Sequence, residues 1–83
     1  MEPVKHCFDT AHIGNYTIAK AAAEKAGMKF RSDYRHTCIK KYHFEITAET
    51  PEQDAVLTNI ILATTAHQEQ ETYRKKLAQF IAG

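Results

Sequence analysis

Hydrophobic and polar residues alternate in two stretches of the chain and recur at helical spacing in others, and this contrast sets the expected order of elements. In residues 4–10 (VKHCFDT), Val4, His6 and Phe8 fall on one side and Lys5, Cys7 and Asp9 on the other, as in a half-buried strand. Gly14 and Asn15 then supply a turn and a helix N-cap. An alanine-rich run over residues 16–26 follows, stopping at Gly27, where a left-handed C-cap is favoured. The expected inward positions, Ile18, Ala22 and Ala26 with Ala19 and Ala23 beside them, are mostly small, so this helix can lie close against a sheet.

From Met28 the period returns to two. Met28 and Phe30 alternate with Lys29 and Arg31, and Ser32, Asp33, Tyr34 and Arg35 read as a turn. In the next stretch Cys38, Tyr42, Phe44, Ile46 and Ala48 share one face, with Lys40 against the pattern. Thr37, Ile39, Lys41, His43, Glu45 and Thr47 occupy the other. Thr50, Pro51 and Gln53 then combine an N-cap, a proline at the first helical position and a reciprocal capping box.

A helix starting at Pro51 meets no breaker before Gly83, and some 32 residues would make it about 48 Å long, against a radius of gyration near 12 Å for a chain of this size. Its apolar block of Val56, Leu57, Ile60, Ile61 and Leu62 is separated from a second stripe, Tyr73, Leu77, Phe80 and Ile81, by a polar stretch. Either the helix breaks near Thr64 and Thr65 and folds back, or it stays straight and the second stripe packs on another subunit. The straight helix, with Tyr73, Leu77, Phe80 and Ile81 as a homodimer interface, is the preferred expectation. The fold expected is thus α+β: one small two-layer β-α-β-β-α domain over residues 1–83, a three-stranded sheet with both helices on one face and a long C-terminal helix.

Composition narrows the functional classes. The chain has 83 residues, so one small core is the ceiling and a two-domain enzyme is excluded. Eleven Lys and Arg against ten Asp and Glu leave a formal charge of +1, which gives no global field for binding DNA or an anionic membrane. No run approaches the roughly 18 consecutive apolar residues of a membrane-spanning helix, and residues 1–15 lack the pattern of a cleaved signal. Two cysteines are too few for a disulfide framework, so reduced thiols in a cytoplasm are expected.

Candidate chemistry is sparse. Cys7 and His12, like Cys38 and His43, are five residues apart, which on strands places them on opposite faces, so no metal site is expected from them. Cys7, Asp9 and His12 include the residue types of a nucleophilic site without an oxyanion hole, and residues 14–21 lack the second glycine and the Ser or Thr of a phosphate loop. No cofactor and no catalytic residue is expected. Charge is unevenly placed, however: residues 29–44 hold Lys29, Arg31, Arg35, Lys40 and Lys41 against Asp33, a local +4. Alternation sends Lys29, Arg31, Lys41 and His43, with Lys5, to the sheet face opposite the helices, while Phe30, Tyr42 and Phe44 point inward.

The binding residues expected are therefore Lys29, Arg31, Arg35, Lys41 and His43. The first functional reading is a non-enzymatic module that regulates or inhibits a protein partner by occupying its surface, as small inhibitors carried by phage or mobile elements do. The second is a nucleic-acid-binding protein using the basic open face, and the third a metal-stabilised module.

Overall fold

The structure is a computed structural model that describes residues 2–33, 42–65 and 70–83. The elements run β1 (Val4–Thr10), α1 (Ile13–Lys25), β2 (Lys29–Asp33), β3 (Tyr42–Ala48), α2 (Pro51–Thr65) and α3 (Gln70–Ala82), forming a small α+β domain. The three strands make one sheet in the order β1-β3-β2, with β3 antiparallel to both neighbours. β1 and β2 therefore run parallel with β3 between them, a split β-α-β unit, not a pair of adjacent strands. β2 continues through Ser32 and Asp33, which pair with Phe44 and His43, so the expected turn does not begin at Ser32. The remainder of that turn, and Cys38 and Lys40, lie outside the described residues.

Alternation along the strands sorts the two faces. Phe8, Phe44, Ile46 and Ala48 are buried on the side covered by the helices, and Phe30 and Tyr42 are half-buried there. Stacked Phe8 and Phe44 (ring centroids 4.7 Å apart) and Phe30 and Phe44 (5.5 Å) bridge all three strands. Tyr16 of α1 packs on Phe30, Tyr42 and Phe44 at 5.3 to 5.8 Å, making it the hub between helix and sheet. Fully buried Ala19, Ala22 and Ala23 let α1 approach closely, as the run of small residues requires.

α1 starts three residues before Tyr16. His12 is its N-cap without a side-chain cap bond, and Asn15 lies inside the first turn, 3% exposed, not at a cap. Its amide donates to Thr10 Oγ1 at 3.1 Å, and its carbonyl oxygen accepts from Arg74 of α3. At the other end Gly27 has φ +71°, and the Met28 and Gly27 amides donate to the carbonyls of Ala23 (2.9 Å) and Glu24 (3.1 Å). That paired pattern is a Schellman cap, which satisfies carbonyls the helix leaves open.

α2 is capped by Thr50, whose Oγ1 accepts from the Gln53 amide at 3.2 Å. The reciprocal bond of a capping box shifts by one residue: Gln53 Oε1 accepts from the Glu49 amide at 2.8 Å, not from that of Thr50. Gln53 Nε2 then donates to the carbonyls of Ala26 and Gly27 at 3.2 and 3.4 Å, tying the start of α2 to the end of α1.

The expected straight C-terminal helix is replaced by α2 and α3, which pack on each other and on α1. The longest dimension of the molecule is 37 Å, shorter than the about 48 Å of the continuous helix. Leu77 is 1% exposed in the core with Ile46, Leu57 and Ile60, and Tyr73 and Ile81 pack against the same core. The stripe expected to bind another subunit is thus consumed within the chain, leaving only Phe80 exposed, at 36%. Two causes act together. The Thr64 and Thr65 hydroxyls donate back to the carbonyls of Ile60 and Ile61, the competing bonds that weaken a helix near its end. Folding back also buries a leucine that a straight helix would hold in water.

Candidate functional site

The uncovered face of the sheet carries the residues that antiparallel pairing brings into three rows. Lys5, Thr47 and Lys29 form the first, Cys7, Glu45 and Arg31 the second, and Asp9, His43 and Asp33 register with one another in the third. Each row crosses all three strands, because every odd-numbered position of β1 and β2 pairs with an odd-numbered position of β3.

Lys29 and Arg31 are exposed on this face as expected. Lys29 Nζ lies 3.1 Å from Glu49 Oε1, just beyond the end of β3. Arg31 stands opposite Glu45. His43 Nδ1 lies 3.7 Å from Asp9 Oδ1. Arg35 and Lys41 lie outside the described residues. Lys5 joins the face, with Nζ 3.9 Å from Glu45 Oε2, and the Cys7 thiol donates to Glu45 Oε1 at 3.7 Å. Glu45 is therefore the centre of the face, between one cation on each side.

This arrangement changes the electrostatic character of the surface. Lys5, Lys29 and Arg31 are answered by Asp9, Glu45 and Glu49, so the described part of the face is mixed in sign. The signs are also separated: lysines occupy the row at one end and Asp9 the row at the other. The ion pairs are solvated and of long or intermediate length, so they contribute little to stability and remain available to a partner. The acidic members were visible in the alternation that placed Asp9 with Lys5 and Glu45 with His43. Their pairing depends on strand order and register.

The Cys7, Asp9 and His12 set does not converge: Cys7 bonds Glu45, Asp9 pairs with His43, and His12 stands beyond the strand at the N-cap position of α1. Among the described residues, no three His, Cys, Asp or Glu side chains are grouped to hold a metal ion. A shallow notch of about 110 Å³ opens beside β1, between His6, Phe8 and Thr10 on the strand and Thr64 and Thr65 at the end of α2. No helix among the described residues is long and apolar enough to cross a membrane. Comparison with protein-family models, curated proteins and solved structures finds no match to this chain.

Proposed function

We propose that this protein is a non-enzymatic binding module that regulates or inhibits a protein partner by laying the uncovered sheet face on a surface of complementary mixed charge, with Lys29 and Arg31 against acidic groups of that partner. The observation that carries this reading is the interleaving of charge on the face: Arg31 beside Glu45, Lys29 beside Glu49 and His43 beside Asp9. A phosphate backbone presents one sign along its length and is met by an unbroken cationic track with stacking aromatics. Here carboxylates interrupt the cations, and Phe30 and Phe44 face the helices. Mixed charge of this kind suits a folded protein surface, where complementary pairs set orientation and reject wrong partners. The two-cysteine composition supports a reducing, cytoplasmic setting.

The test is affinity capture from native cell extract with the full chain, run beside a Lys29→Glu/Arg31→Glu variant and beside an α1 surface control, Lys20→Glu. The expected result is a protein retained by the natural chain and the control, and lost with the sheet-face variant. Retention by all three would place the contact elsewhere. Saturable binding of oligonucleotides that weakens steeply with salt would assign the face to nucleic acid instead.

A further inference from the structure

β1 is an edge strand: β3 pairs with one side of it, and among the described residues no strand pairs with the other. Its seven residues are self-complementary when a second copy is laid antiparallel with Cys7 opposite Cys7. That register sets Lys5 against Asp9 and Asp9 against Lys5, His6 against Phe8, and Val4 against Thr10. We propose that two copies of this chain associate through β1 in this register, joining their sheets into one six-stranded sheet about a two-fold axis.

Charge complementarity singles out both the occupant and the register. Each protomer's face has a lysine end, Lys5 and Lys29, and an acidic end marked by Asp9, so a two-fold axis through Cys7 brings opposite ends together. The Lys5 and Asp9 side chains are 61% and 50% exposed, open enough to meet a partner strand. Moving the axis to His6 or Phe8 keeps the faces aligned but removes both ion pairs. The central register of β2, the other edge, also brings Lys29 opposite Asp33, but it sets Arg31 against Arg31 on the axis, where β1 has the uncharged Cys7.

The helix side of the strand agrees. Val4, 42% exposed and one of three exposed large hydrophobic residues among the described residues, comes opposite Thr10, which lines the notch closed on its far side by Thr64 and Thr65. His6, already edge-on to Phe8 at 4.5 Å in its own chain, meets Phe8 of the second copy, giving four rings across the axis. A seven-residue strand pair is smaller than the about 1,600 Å² of a standard interface, so the association is concentration-dependent, in roughly the micromolar range. It uses the β1 edge of the same sheet, two strands away from Lys29 and Arg31, and stands without their contact.

The experiment combines sedimentation equilibrium under reducing conditions with a thiol trap. The natural chain shifts from monomer to dimer with concentration. Lys5→Asp and Asp9→Lys each place like charges across the axis twice and weaken the dimer about tenfold or more, whereas an equimolar mixture of the two restores it as a heterodimer. In the Cys38→Ser variant, Cys7 is the sole thiol. Facing Cα atoms in such a pair are about 4.5–5.5 Å apart, within disulfide reach. Diamide, taking up the two hydrogens of two thiols, should therefore give a covalent dimer in high yield. A monomer at every concentration, or single charge variants that dimerise as the natural chain does, would overturn the proposal. The thiol trap keeps β1 intact, so absence of the covalent dimer overturns it even if a charge variant fails to fold.

Discussion

Single residues carry sharply different burdens here, and two of them show why. Gly27 sits at φ +71°, where a side chain would meet nothing within 4 Å, so its requirement is one of backbone conformation alone. Gly27→Ala is expected to lower stability by about 1–2 kcal/mol, read as an earlier urea midpoint with an unchanged slope. Asn15 is a different case: buried at 3%, it links Thr10 of the sheet edge to Arg74 of α3 through one side chain. Asn15→Ala strands the Arg74 guanidinium and should cost about 1–3 kcal/mol. In a double-mutant cycle, Arg74→Ala made in the Asn15→Ala background should cost less than it does alone, because the shared bond is already gone. Additive costs would show that the two side chains act separately. The local rules that place Asn at caps gave no sign of this role, since the partners lie 59 positions apart in one direction and across the chain turn in the other.

At the scale of elements, stability depends on how helix ends are joined. Gln53 accepts from the Glu49 amide and donates to the carbonyls of Ala26, the C-cap of α1, and Gly27 after it, so one side chain closes two termini. Gln53→Ala should therefore cost about 1–2 kcal/mol and speed hydrogen exchange at the Glu49 amide, with native exchange there arguing against the bond. Thr50 and Gln53 were legible as a cap from their spacing, whereas the link to α1 was not, because it requires the two helices to be side by side. The same distinction holds in β1 and β3. Their alternation assigned Lys5, Asp9, His43 and Glu45 to the open face from short-range geometry alone. Which carboxylate meets which cation came from the β1-β3-β2 order. Exposed pairs such as Lys75 with Glu71 on α3, one helical turn apart at 4.0 Å, belong to the solvated surface and should matter little.

For the whole molecule, the decisive event is the return of α3 onto α1 and α2. Leu77, 1% exposed, joins a core whose other large, fully buried side chains, Ile46, Leu57 and Ile60, come from β3 and α2, so helix packing and sheet packing are one cooperative unit. Leu77→Ala should remove about 2–5 kcal/mol, a large share of the roughly 4–12 kcal/mol expected of a domain this size. Because the burial is within one chain, that loss should be the same in dilute and concentrated protein. A loss that grows on dilution would place Leu77 at a subunit interface instead.

Short-range sterics and periodicity determined which segments are strands and helices, where Gly27 and Thr50 end and begin them, and which side of each strand is greasy. These follow from φ/ψ restrictions and side-chain direction within a few residues, and the sequence carries them locally. Tertiary structure alone decided that β3 lies between β1 and β2, that the second apolar stripe closes its own core, and that Glu45 sits among the cations. Each of those outcomes compares the burial and pairing energies of residues distant in sequence, and such comparisons exist only once the chain has brought them together.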